Sequence, residues 1–167
     1  MTKTVFRHKW ITCYESEQGV PFISMDDGVL TVPITLEGEV LFITEFSVAY
    51  EQRIVFLPGG GIEPGETPVE TANRELQEEA GYRAERLDFL GELCPFVKYL
   101  HARWFVYLAR DLQPSRLVAD EGWPIEVERV PLSGVVQRID SSRLLDSNVI
   151  AATHLARRFL AEEGQER

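Results

Sequence analysis

Cysteine is nearly absent from these 167 residues: Cys13 and Cys94 stand far apart and neither begins a paired-cysteine motif. That argues against a disulfide framework and against a zinc site, and both thiols are expected free, buried or half-buried. Histidine is as scarce, and His8, His101 and His154 show no ligand spacing. No apolar run approaches the roughly 20 residues that span a bilayer. The opening MTKTVFRHKW lacks the apolar centre of a signal peptide, so no membrane partner and a cytoplasmic location are expected. Positive charge is short too, with 17 Lys and Arg against 27 Asp and Glu and a net charge of −10. So acidic a chain lacks the basic footprint of a nucleic-acid binder. A small phosphorylated compound stays compatible, provided that clustered acids hold cations that reverse the local field.

What is present fits one globular domain able to bury a core, at 44% hydrophobic and 26% charged. The first third reads as strands. Residues 4–14 and VPFISM form an N-terminal antiparallel strand pair, Asp26-Asp27-Gly28 a hairpin turn, and VLTVPITL the next strand. Glu37-Gly38-Glu39 turns into the apolar run VLFITEF, and a short strand from Ile54 stops at Pro58. Gly59 to Gly61 break regular structure. Thr67 as N-cap, Pro68 and Glu70 then make a capping box, and Gly81 is a natural stop, so one helix is predicted over 67–80. Strands resume near 86–94, 102–110 and 125–130, with a short helix after Ser133 and a longer one from about Asn148 to Ala161. The pattern is a mixed α/β sandwich.

Residues 60–82 read GGIEPGETPVETANRELQEEAGY. At about 100° per residue, Glu75, Glu78 and Glu79 share an arc about 100° wide. Val69, Ala72, Leu76 and Ala80 fall on the adjacent arc, which is expected to pack on the sheet. Carboxylates crowded on one face repel each other. Hard cations such as Mg²⁺ or Mn²⁺ relieve that repulsion through oxygen ligands. Such ions bridge a diphosphate and lower the pKa of an attacking water, while glycines before the helix allow close backbone approach. A generic Glu-rich helix is a solvated face; the glycine loop, Glu66 and Arg74 at fixed places weigh against that here.

The spacing resembles the Nudix box: a Gly, five residues, Glu, seven residues, then Arg-Glu-apolar-x-Glu-Glu-x-Gly-apolar. Here these are Gly60, Glu66, Arg74, Glu75, Leu76, Glu78, Glu79, Gly81 and Tyr82, the last standing where an aliphatic residue is commoner. The resemblance implies a Nudix-type α/β/α sandwich with a mixed sheet, with core 28–161, N-terminal strands 1–27 and tail 162–167. It implies a divalent-metal-dependent pyrophosphohydrolase acting on a nucleoside diphosphate linked to another moiety. Glu75, Glu78 and Glu79, with a backbone carbonyl of Gly59 or Gly60, resemble the metal ligands, and Glu66 and Arg74 an orienting ion pair. The general base is a box glutamate or, as in the ADP-ribose pyrophosphatase branch, a later loop acid: Glu121, with Asp120 and Glu126 behind it. That branch carries N-terminal strands, often exchanged in a homodimer, which makes Trp10, Tyr14 and Phe22 candidate stacking groups. The strand ITEFS lacks the branch's phosphate-binding arginines, for which Arg53 is the candidate substitute. Other readings are a nucleoside triphosphate or dinucleotide hydrolase, a diphosphate isomerase using Cys94, and a non-catalytic nucleotide sensor.

Overall fold

The computed structural model describes residues 2–118, 122–142 and 146–165. Three strands come first, β1 (Lys3–Arg7), β2 (Ile11–Glu15) and β3 (Pro21–Met25), in an antiparallel meander. The stretch 4–14 bends at residues 8–10, where the His8 N–H donates to the Ile11 carbonyl at 2.8 Å, so the N-terminal pairing runs over three strands. There follow β4 (Gly28–Pro33), β5 (Glu39–Ser47), β6 (Gln52–Phe56) and β7 (Gly59–Gly61), then helix α1 (Pro68–Glu75). After it come β8 (Tyr82–Leu93), β9 (Leu100–His101), β10 (Trp104–Pro114), β11 (Glu126–Pro131), α2 (Val135–Asp140) and α3 (Ser147–Gln165).

The central sheet is mixed, in the order β7-β4-β10-β8, with β10 parallel to β4 and antiparallel to β8. A second sheet has the order β11-β5-β6, and β9 adds in parallel to β3 of the meander. Alternate strand residues face opposite ways. Leu30, Val32, Phe42, Val106 and Leu108 turn to one side, where α2 and α3 cover them with Val135, Ile139, Val149, Ala152 and Ala156. Val29, Leu41, Tyr107 and Ala109 turn to the other, under Ala72, Leu76 and Ala80. Helix, sheet, helix is the expected α/β/α sandwich.

Two local readings are corrected. Asp26-Asp27-Gly28 is not a hairpin turn, because β3 and β4 belong to different sheets. Gly28 instead pairs with Trp104 on one side and Gly61 on the other, and the Asp27 carboxylate is taken by Arg103. The glycines 59–61 do not break regular structure but form β7. A Cβ on Gly59 would lie 2.2 Å from the Val29 carbonyl oxygen, so bare backbone is what lets β7 pair with β4.

Under α3, the Thr153 hydroxyl is buried without a hydrogen-bond partner. An unsatisfied buried hydroxyl costs about 1–3 kcal/mol. Thr153→Val should therefore stabilise the fold by about 1 kcal/mol, read as a melting temperature higher by about 2–4 °C. A lower melting temperature would show that the hydroxyl is satisfied in solution.

Candidate active site

The carboxylate helix is fixed at both ends. Thr67 caps it: its hydroxyl accepts from the Glu70 N–H at 3.3 Å, and its own N–H donates to Glu70 Oε2 at 2.8 Å. That backbone bond, then the Thr67 hydroxyl, holds the Glu70 carboxyl below its ordinary range. Midway, Asn73 clamps Ala84 of β8, accepting its N–H at 2.8 Å and donating to its carbonyl at 3.2 Å. Gln77 is tied down by Ser115, whose hydroxyl donates to it at 2.8 Å. The helix is not α-helical throughout. After Glu75 it widens, and residues Leu76–Ala80 form a π turn closed by the Gly81 N–H on the Leu76 carbonyl, five residues back. Gly81 itself has φ 77°, the left-handed conformation that a side chain disfavours. The apolar arc is also shorter than expected: Ala72, Leu76 and Ala80 are buried, but Val69 in the first turn is 46% exposed.

Arg74 organises the acids. Its Nε lies 2.8 Å and its Nη2 3.1 Å from the two oxygens of Glu66, a bidentate pair. Its Nη1 reaches Glu75 Oε1 at 2.8 Å and Glu78 Oε2 at 2.9 Å. Nη2 also donates to the Gly61 carbonyl at 3.2 Å. One guanidinium thus faces three carboxylates and the glycine strand. Hydrogen bonds to Glu66 first, with the nearby negative charges, push Arg74 further above its ordinary value and outweigh burial. In turn Arg74, with the buried Thr71 hydroxyl at 2.8 Å and the Glu63 N–H, holds Glu66 below the ordinary glutamate range against the opposing effect of burial.

Glu75 and Glu79 are buried, 6% and 4% exposed, and each lies against a glycine of β7. The Gly59 N–H donates to Glu79 Oε2 at 2.8 Å. A Cβ on Gly60 would sit 2.3 Å from Glu75 Oε1, so that carboxylate occupies the space a side chain would fill. Among the described residues no three His, Cys, Asp or Glu side chains already converge on one point as metal ligands. The donor set of Glu75, Glu78, Glu79 and the backbone beside Gly59 and Gly60 is all oxygen. It suits a hard divalent cation, with Arg74 holding part of the place such a charge would take.

The other candidate residues are dispersed. Arg53 on β6 donates to the Thr44 carbonyl at 2.8 Å and the Pro124 carbonyl at 3.3 Å, and pairs with Glu126 at 3.2 Å, bracing β5, β6 and β11. Trp10 is 55% exposed, edge-on to His8. Tyr14 stacks on Phe22 at 5.2 Å, and Phe22 lines a cleft between the β2–β3 hairpin and residues 94–103. Glu121 and Asp120 lie outside the described residues. Cys94 is exposed on the cleft rather than buried or half-buried, and sits apart from the glutamates. Thr71 and Asn73 escaped the sequence reading; their only signal was position, four and two residues before Glu75, after which the helix widens. The Tyr82 hydroxyl accepts from Arg129 Nη2 at 2.6 Å.

Fold and site together define a class, the hydrolases of phosphorus anhydrides that work from a glutamate helix. The chain belongs to the NUDIX domain family, which matches residues 26–146. It is a Nudix hydrolase, cleaving a nucleoside diphosphate linked to another moiety. It is 32% identical over 139 residues to the ADP compounds hydrolase NudE of Escherichia coli K12, covering 83% of this chain and 74% of that protein. To the ADP-ribose pyrophosphatase of Bacillus subtilis 168 it is 27% identical over 158 residues, 89% of this chain and 85% of that one. A crystal structure of an ADP compounds hydrolase superposes with a TM-score of 0.83 at 30% identity, covering 98% and 94% of the two chains.

The lowered Glu66 value has a pH signature. A depressed folded value means that the Glu66 contribution to stability is full above the ordinary value of 4.5 and is lost as pH falls through the folded value. Glu66→Gln should therefore be less stable than the parent at pH 7, with the gap closing as pH drops below 4.5. Denaturant midpoints of both proteins against pH read this; a gap that stays constant across pH would refute it.

Proposed function

We propose that the chain hydrolyses ADP compounds, ADP-ribose or an ADP-sugar, to AMP and a phosphorylated second product, with Mg²⁺ as cofactor and Mn²⁺ as substitute. The carrying observation is the carboxylate cluster itself: Glu75 and Glu79 buried against the glycine strand, with Arg74 across Glu66, Glu75 and Glu78. Likeness to an ADP compounds hydrolase and an ADP-ribose pyrophosphatase supports the adenosine diphosphate half. When bound by Glu75, Glu78 and Glu79, the cation supplies charge neutralisation at the diphosphate and acidifies a water. Arg74 orients the carboxylates, and Glu66 with Thr71 fixes Arg74. The glycine strand gives the diphosphate access that side chains would block. A proton leaves the attacking water for a carboxylate, either a box glutamate or Glu121.

A homodimer belongs to the same reading. Val5, Phe6 and Trp10 of the meander are 60%, 56% and 55% exposed, an apolar surface that a second copy would cover. Residues 1–27 would then be the exchanged segment and 28–161 the core, with the cytoplasm and its nucleotide pool as the place of action.

The test is a hydrolysis screen with Mg²⁺ over ADP-ribose, ADP-sugars, dinucleotides, NADH, coenzyme A and nucleoside triphosphates, with products identified. AMP release from an ADP compound is expected; turnover of triphosphates alone would overturn the substrate reading. Glu79→Gln should lower turnover about a hundredfold or more. Gly60→Ala, by displacing the Glu75 carboxylate, should raise the Mg²⁺ concentration for half-activation about tenfold. Unchanged Mg²⁺ dependence in both variants would remove the metal from these glutamates.

A further inference from the structure

The crossing from β3 to β4 joins the carboxylate site to the cleft, which has a volume of about 580 Å³ and is lined by Phe22, Tyr99 and Arg103 among others. Arg103 is held by one carboxylate at three points. Its N–H donates to Asp27 Oδ1 at 2.9 Å, and its Nε and Nη2 donate to Oδ2 at 3.0 and 2.6 Å. Nη1 makes no hydrogen bond among the described residues, and the side chain is 52% exposed. The guanidinium lies over the Phe105 ring at 5.3 Å. That contact puts Arg103, just before β10, on the side of Phe105 and Tyr107, the face that Ala72 of α1 covers.

Backbone contacts connect this pair to the glutamates. The Gly28 N–H donates to the Arg103 carbonyl at 2.8 Å, and the Ile62 N–H to the Asp27 carbonyl at 2.9 Å. Gly28 pairs with Gly61, and the next residue, Gly60, is the one that abuts Glu75. Of the other arginines considered for the phosphates, Arg74 is committed to Glu66, Glu75 and Glu78, and Arg53, away from the glutamates, to Thr44, Pro124 and Glu126. Arg103 alone of the three is both rigidly aimed and left with a free donor edge.

We propose that Arg103 is a substrate-binding residue, donating Nη1 to an anionic oxygen of the bound nucleoside diphosphate compound where it passes from the glycine strand into the cleft, with Asp27 as its positioning residue. The proposal rests on the hydrolase reading above. It assigns Arg103 to binding and leaves the bond-breaking step to the glutamates.

Kinetics of the full chain with Mg²⁺ and its best ADP compound test it, using Arg103→Ala, Arg103→Lys, Asp27→Asn and the double variant Asp27→Asn/Arg103→Ala. Loss of a charge-assisted hydrogen bond should raise KM about tenfold or more in Arg103→Ala. The kcat and the Mg²⁺ half-activation should stay within about twofold. Lysine should restore little, because an ammonium lacks the planar fork that Asp27 holds. Asp27→Asn should raise KM by itself yet add less than about twofold to Arg103→Ala, since both act through one contact. An unchanged KM in Arg103→Ala overturns the proposal. So does a fall in kcat together with a shifted Mg²⁺ requirement, which would mean that the pair only braces the glycine strand. If Arg103→Ala does not fold, Arg103→Gln replaces it under the same criteria. Failure of the parent to cleave any ADP compound instead overturns the functional reading. The KM comparison then moves to whichever other nucleotide is cleaved or, if none is, to the dissociation constant for ADP, where equal values for parent and variant overturn the role of Arg103.

Discussion

Four acidic side chains are brought together beside a strand, and the Arg74 guanidinium faces three of them. Removing a carboxylate from water without a partner is among the most costly things a fold can do. Glu75 and Glu79 are nearly closed off from solvent, so the packing of the helix on the sheet is conditional on those charges being answered. Arg74 answers Glu66, Glu75 and Glu78, and the Gly59 N–H answers Glu79. The apolar arc of Ala72, Leu76 and Ala80 can then be pressed against Leu41, Val29 and Tyr107. Thr71 serves the same end, because its hydroxyl fixes the Glu66 oxygen whose place decides where Arg74 points.

The second constraint is the match between helix and strand. Neighbouring strand residues are about 3.3 Å apart along the chain, whereas helix residues four apart differ by about 6 Å in rise. Glu75 and Glu79 nonetheless meet adjacent glycines, Gly60 and Gly59. The widening of the helix directly after Glu75 lies between the two contacts. Side chains on β7 would hold the helix off. Gly59 is needed for contact with β4 and Gly60 for contact with Glu75, so neighbouring glycines serve opposite partners.

Legibility in the sequence followed the range of the interaction. The capping box, the stop at Gly81 and the identities of Glu66, Arg74, Glu75, Glu78 and Glu79 are set by neighbours within a few turns, and the pattern displays them. The mixed α/β sandwich was legible because apolar runs such as VLFITEF mark buried strands, while the α/β/α layering came with the resemblance carried by the box; the two faces of those strands are covered by different helices. What escaped depends on distant partners. Asp26-Asp27-Gly28 has good hairpin chemistry, but Arg103, 76 residues away, captures Asp27 and draws Gly28 between β7 and β10. Three glycines in a row look like a break because their strand-forming partner, β4, is far back in the chain. Helical arithmetic at a constant 100° holds only to Glu75, since nothing local announces the π turn.

The same division separates chemistry from recognition. Glutamates on one helix, with an arginine of that helix, form a self-contained charge system whose parts lie within fourteen residues, from Glu66 to Glu79. The cleft is assembled from the hairpin of β2 and β3 and from residues 94–103, segments that share no element with that system. They meet at Asp27 and Gly28, where the chain enters β4: the Asp27 carbonyl accepts from Ile62 and the Gly28 N–H donates to Arg103. Backbone hydrogen bonds of this kind fix distance without depending on side-chain identity. Cleft residues can consequently vary in size and charge while the glutamates keep their places. The box spacing accordingly reports the bond that is broken more directly than the compound that carries it.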